Sequence, residues 1–285
     1  MVGGDVSDTL GRDRSVARDS IIERIKRRKL FAVVVAIAAA LLWIVSFQSA
    51  ATTVLGWLSP YVPAVSHYAD ARAISNLKPG AHLSTYEKAL GEFTYRTEHT
   101  PYVEYVFVRP NCYVQVLTDE SDRVLMYAVT VRNKEFHPVF EIPGLVDGPA
   151  SFRLGLSKFA ESGLYPDYIC GVFGGSYMHY MEFTRFPHVN DFLGVILASS
   201  DSGAWWEPAD HELSPFNEED YPTSLNDALA ANKPDDPAIK WYRTNEIANT
   251  YGEAAPDFDP GVLFEEDGMP KSSLVIGPDR VMVRE

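Results

Sequence analysis

Cysteine is nearly absent, with two in 285 residues, Cys112 and Cys170. No Cys-x-x-Cys occurs, which removes zinc ribbons and thioredoxin-type redox chemistry. No Cys stands beside the one long apolar run, so a lipid-modified anchor is excluded too. Histidine is sparse and scattered. The seven, at 67, 82, 99, 137, 179, 188 and 211, form no pair at helical or strand spacing. His211-Glu212 lacks the second His four residues on that a zinc protease helix requires. There is no phosphate-cradling glycine loop, no G-x-G-x-x-G and no G-x-S-x-G elbow; "GLSKF" and "GGSYM" share only letters with the last. "TDESD" at 118–122 groups three acids without the alternating oxygens and Gly of an EF-hand loop, and reads as a solvated hairpin turn. No motif calls for a cofactor or a metal, and none identifies a reaction.

Positive charge is scarce beyond the N-terminus. Residues 1–29 hold eight Lys/Arg against five acids, a net of +3, while the chain sums to −14, leaving −17 on residues 30–285. A body this acidic excludes nucleic acid as a partner, because phosphates demand a basic surface.

What the sequence does have is "LFAVVVAIAAALLWIVSF", residues 30–47, eighteen residues without a charge. At about 1.5 Å per helical residue this nearly crosses a hydrocarbon core of about 30 Å, and "QSAATTVL" completes the span. A cleaved signal peptide has a shorter apolar core, of about 7–15 residues. Residues 30–50 are therefore expected to anchor the chain in the lipid bilayer of a cell membrane as a single uncleaved transmembrane helix. The basic segment 1–29 stays cytoplasmic and the rest lies outside. That compartment permits a disulfide between Cys112 and Cys170; two buried thiols are the alternative, and the sequence leaves both open.

Residues 51–76 form a juxtamembrane stretch with Trp57 and Tyr61 among prolines, then a short helix with Ser66 as its cap. Residues 77–203 read as an α+β domain. In "NLKPGAHLSTYEKALGEF", Ser84 and Glu87 have capping-box spacing, Tyr86, Ala89 and Leu90 make a buried stripe, and Gly91 ends the helix. "YVEYVFV" (102–108), "CYVQVL" (112–117) and "VLMYAVTVR" (124–132) alternate as strands with one buried and one wet face. A second passage repeats the order: "FRLGLSKFAESG" (152–163) as a helix, then strands at 167–173, 176–186 and 192–200. The expected class is α+β: an N-terminal transmembrane helix, then an antiparallel sheet with short helices on one face. Within it stands a tandem helix–three-strand repeat, 77–132 and 152–200, or two unrelated α+β segments. Residues 204–285 form an acidic, Pro-rich extension packed on the domain, with two short helices and a closing hairpin across Gly277-Pro278-Asp279.

The pattern "LKPG-x3-S-x2-E-x2-LG" followed by a meander resembles the helix-and-sheet unit of the small lipoprotein of the outer-membrane barrel-assembly machinery. β-Lactamase inhibitory protein, which carries that unit twice, shares the fold. The resemblance covers residues 66–132 and, more weakly, 152–200. The chain also resembles uncharacterised membrane-anchored bacterial proteins with a late "NTYGE", here Asn249 to Glu253. The resemblance implies a binding or scaffolding module without catalysis, acting through its sheet face and loops, and no particular partner; the expected topology places a protein partner outside the cytoplasm.

In "YMHYMEF", Tyr177, His179, Met181 and Phe183 share one strand face and Met178, Tyr180 and Glu182 the other. The first set is the candidate interaction face. The alternative is an extracytoplasmic enzyme or small-ligand sensor built on strand 176–186, using its Tyr, His and acid.

Overall fold

The structure is a computed structural model and describes residues 63–142, 150–174, 177–186, 193–204, 221–263 and 276–278. Ten strands form its framework. They are β1 (Tyr95–His99), β2 (Tyr102–Val108), β3 (Cys112–Thr118), β4 (Val124–Val131), β5 (Val139–Ile142), β6 (Ala150–Arg153), β7 (Tyr168–Gly174), β8 (Tyr177–Arg185), β9 (Gly194–Ser200) and β10 (Thr250–Ala254). Eight make one antiparallel sheet in the order β1-β2-β3-β4-β10-β9-β8-β7, and β5-β6 is a separate hairpin. The helices are α1 (Pro63–Ile74), α2 (Leu83–Leu90), α3 (Tyr221–Ala230) and α4 (Pro237–Asn245), with 3-10 turns at Phe159–Ser162 and Pro260–Leu263.

The expected class is corrected. The described residues are mostly antiparallel sheet with few helices, and no described helix is long and apolar enough to cross a membrane. Segments 1–29 and 30–50, on which the anchor was expected, lie outside the described residues.

Two meanders do join in one sheet, but not directly. β10 lies between them, with Thr250–Ala254 paired to Thr130–Met126 of β4 on one side and to Ala198–Gly194 of β9 on the other. This strand comes from within the segment read as an extension, so Thr250–Ala254 lies at the centre of the sheet. The second unit also departs from the helical expectation at 152–163. Residues 150–153 are a strand paired with 139–142, and only Phe159–Ser162 coils, as a single 3-10 turn. Gly155, at φ +78, breaks any helix before it starts.

Alternation along the strands distributes side chains to two faces. On the first, Tyr105, Phe107, Val114, Val116, Tyr127, Val129, Tyr251, Leu197 and Tyr180 meet α1–α4, the β5-β6 hairpin and Phe159. On the second, Leu117, Met126, Ala128, Met181, Phe183, Ile196 and Ala198 are covered by Phe258, Leu263 and Ile276. The wet face expected from alternation is therefore dry: all seven residues of β3 and all eight of β4 are buried.

Local signals at two helices were misassigned. Ser66 lies inside α1, where its hydroxyl accepts from Asn111 Nδ2 at 2.6 Å. That amide belongs to a buried clamp in which Asp70 takes Arg109 Nε at 3.0 Å and the Asn111 amides at 3.1 and 2.9 Å, tying α1 to the β2-β3 turn. The cap of α2 is His82, whose Nδ1 accepts from Ser84 N at 3.2 Å, in place of the Ser84–Glu87 box. Gly91 ends α2 as expected, at φ +92.

β10 runs so close to β4 that a Cβ on Gly252 would stand 2.4 Å from the Tyr127 carbonyl oxygen. Gly252→Ala should therefore lower stability by about 1–3 kcal/mol, the usual effect of overpacking a tight interior. A urea midpoint equal to that of the native chain would show that the two strands have room to part.

Candidate functional site

β8 is the strand that the sequence singled out. His179, Met181 and Phe183 are all buried, so they form no interaction face. Phe183 packs against Phe258 and Tyr168, each at 6.4 Å between ring centroids. The chain that leaves β10 folds back across them. The side chain of Tyr177 lies outside the described residues. Of the two alternatives the sequence leaves open for Cys112 and Cys170, the structure has the free, buried thiols. Cys112 points to the helix-covered face and Cys170 to the other, with β4, β10, β9 and β8 between their strands. Five strand spacings put them about 24 Å apart, far beyond disulfide reach. Burial raises both thiols well above their ordinary value.

The chemistry-bearing groups gather around carboxylates. On the helix-covered face of β8, Tyr180 donates its hydroxyl to Glu182 Oε1 at 2.6 Å. Arg243, from α4, brings Nε to 2.7 Å of the same oxygen as an ion pair, and Glu182 Oε2 has no hydrogen-bond partner among the described residues. Arg243 also donates to the Leu164 carbonyl. Phe159 and Tyr242 seal the cluster, their centroids 5.0 and 4.4 Å from Tyr180. Burial raises the Glu182 carboxyl, with Arg243 opposing the shift. It is 2% exposed, which closes it to any substrate in this conformation.

Two strands away β10 repeats the motif. Tyr251 donates to Glu253 Oε1 at 2.9 Å, and Tyr127 of β4 stands opposite Glu253 in the ladder, on the same face. Here the carboxylate is partly open. Burial raises it, and the two phenols and Lys78 work against the shift. On the second face, Glu104 takes His99 Nε2 at 3.0 Å and Gln115 Nε2 at 2.6 Å, while Gln115 Oε1 accepts from Gly277 N at 2.9 Å. That chain fastens the C-terminal segment to the sheet. No group of three or more His, Cys, Asp or Glu that could hold a metal occurs among the described residues.

The sequence found Tyr180 and Glu182 as neighbours on one face but missed Arg243, Tyr251 and Glu253. The Tyr-x-Glu spacing in "NTYGE" was the available signal. Comparison with known proteins adds little. No family model matches the chain, and no curated protein matches it. A cysteine-rich secretory protein from Staphylococcus aureus is similar over 43% of each chain, at 16% identity and a TM-score of 0.20.

Breaking the Glu182–Arg243 pair from one side strands a buried charge. Arg243→Met is expected to cost about 3–5 kcal/mol, and Glu182→Gln on top of it to recover most of that loss. A double variant no more stable in urea than Arg243→Met would refute the pairing. His179 gives a pH signature. Burial pushes its imidazole down to about 4. The fold holds it neutral while the unfolded chain takes up a proton below the ordinary 6.5, so its contribution is present above 6.5 and lost as pH falls toward 4. Glu246 runs the other way: burial lifts it to about 7, so its share is present below 4.5 and lost as pH rises through 7. The stability difference between the native chain and His179→Gln isolates the histidine. It should shrink by on the order of 3 kcal/mol from pH 7 to 4, at about 1.4 kcal/mol per unit; a pH-independent difference would count against a neutral buried His179.

Proposed function

We propose that the chain is a protein-interaction or scaffolding module that works outside the cytoplasm and binds through the rim of its sheet. The observation that carries this reading is the placement of Tyr165 and Tyr168. They stand at the entry to the edge strand β7, 57% and 42% exposed, while the carboxylates of Glu104, Glu182 and Glu253 are engaged by His99, Tyr180 and Tyr251. The Tyr165 ring is held in position by its hydroxyl, which donates to Asp235 Oδ2 at 2.7 Å. A pre-positioned tyrosine gives contact area at small entropic cost, which is why such residues anchor interfaces. At the same edge Asn232 Oδ1 takes the outward Ile169 N–H at 3.0 Å, so the strand is capped there. Recognition then runs through the tyrosines and not through addition of a strand. The resemblance of residues 66–132 to a non-catalytic binding unit supports the same reading. Location at a cell membrane rests on the uncharged run 30–47 and the basic segment before it.

Crosslinked capture of partners from membranes tests the proposal. Tyr165→Ser/Tyr168→Ser is expected to reduce the recovered partner at least tenfold without lowering the melting temperature, while Tyr68→Ser, at the exposed side of α1, leaves it unchanged. A double variant that captures the same partner at native yield would overturn the rim assignment. Absence of any specific partner with the native chain would overturn the module.

A further inference from the structure

The clamp that ties α1 to the β2-β3 turn does not stop at Asn111. That side chain donates from Nδ2 to Ser66 Oγ at 2.6 Å and to Asp70 Oδ2 at 2.9 Å. Its Oδ1 takes Asn133 Nδ2 at 2.9 Å, and the same Nδ2 stands 3.2 Å from Nε2 of His67 on α1. Asn133 Oδ1 accepts the Glu135 N–H at 3.0 Å. The direction of every bond in this chain is fixed from the Asp70 end. The partners of Asp70 are N–H groups of Arg109 and Asn111, so its oxygens accept. A side-chain amide carries two donors on its nitrogen and only acceptors on its oxygen. Asn111 therefore presents nitrogen to Asp70 and oxygen to Asn133, and Asn133 presents nitrogen to both Asn111 and His67. With the nitrogen of Asn133 turned toward it, His67 Nε2 accepts. Its ring is then the tautomer with the proton on Nδ1.

We propose that His67 is a pH-sensitive latch on α1: a proton taken up at Nε2 unfastens the helix from the β2-β3 turn and from residues 132–136. With that proton an N–H faces an N–H across 3.2 Å, where a hydrogen bond stood before. Two responses are open to the side chains. The ring can swing out, leaving its place 5.5 Å from the Phe136 ring and depriving Asn133 of an acceptor. Alternatively Asn133 turns over, and then its oxygen meets Asn111 Oδ1 while its nitrogen meets the Glu135 N–H. Turning Asn111 to match sets its oxygen against Asp70 Oδ2, so the conflict moves to a buried carboxylate. The charged groups around the ring do not replace the lost bond. On α1, Asp70 is committed to Arg109 at 2.9 Å, and Arg72 is exposed. From residues 132–136, Arg132 lies over the Tyr113 ring, and Lys134 and Glu135 are exposed. None of the ion pairs among the described residues includes His67. The ring is half-buried, so a proton reaches it without unfolding of the sheet. The latch holds while the ring is neutral and lets go as pH falls and the ring charges.

Nuclear magnetic resonance of the full-length chain reads the latch in two ways. In the neutral ring, the nitrogen shifts of His67 are expected to show Nδ1 protonated and Nε2 bare. A neutral ring with its proton on Nε2 would overturn the bond directions. Charging of the ring is then followed with falling pH while amide exchange is measured. Exchange at the Asn111 and Glu135 N–H groups, taken relative to the amides of β10, should rise at least tenfold as His67 charges. The reference to β10 removes the pH dependence of exchange itself and any global loss of stability, to which His179 contributes. His67→Gln keeps an acceptor for Asn133 and cannot charge, so its ratio should stay constant over the same range. A native ratio that stays constant while His67 charges would overturn the latch, and so would an equal rise in His67→Gln. Should that variant fail to fold, the tautomer and the exchange ratio of the native chain decide alone.

Discussion

Five residues, Thr250–Ala254, hold hydrogen-bonded ladders to both halves of the sheet at once. Remove them and β4 and β9 become raw edges, each carrying a row of unpaired backbone groups beside an apolar surface. The requirements at this position are strict from every side. Thr250 donates to Thr130 Oγ1 at 2.9 Å across 120 residues of chain. Asn249 closes the neighbouring loop by taking Ser200 N at 2.8 Å and donating to Ser200 O at 2.7 Å. Tyr251 and Glu253 serve the helix-covered face, and Gly252 is the residue small enough to let β4 approach. Loop-closure entropy grows slowly with length, so so distant a strand is thermodynamically affordable, but pairings of this separation form slowly.

Because β10 fuses two meanders into an eight-stranded sheet, there is enough width for a layer on each face. Helices and the β5-β6 hairpin cover one, and the segment around Phe258, Leu263 and Ile276 covers the other. That double cover is why polar groups in the strands had to find partners inside. Each Tyr-x-Glu pair places a phenol and a carboxylate two residues apart on one face, the spacing at which a strand lets them touch. The buried ion pairs do not by themselves explain stability, since desolvation offsets most of their attraction. What they do is punish misplacement: a slip of one residue in β8 would turn Glu182 away from Arg243 and bury it unpaired.

Legibility in the sequence followed the strength of local pattern. β2, β3 and β4 were visible because apolar alternation and turn residues agree there. β10 was hidden because "TYGEA" carries Gly, Thr and Glu, which argue against a central strand. It exists through tertiary pairing that no local window contains. β1, "YRTEH", was missed for the opposite reason: as an edge it alternates intermediate and exposed positions, with Arg96 and Glu98 facing water. At α2 the Ser84–Glu87 spacing imitated a cap that His82 provides. In β8 the two faces were separated correctly, but burial reversed their meaning. Which face meets water is decided by what folds over it, and the residues that cover this one come more than seventy positions later.

Among the described residues both faces of the sheet are covered, which leaves its rim as the exposed part of the sheet. The rim divides by chemistry. At β1 the exposed residues are charged and paired with each other, which discourages strand addition. At β7 the approach carries two exposed tyrosines and a backbone already capped by Asn232.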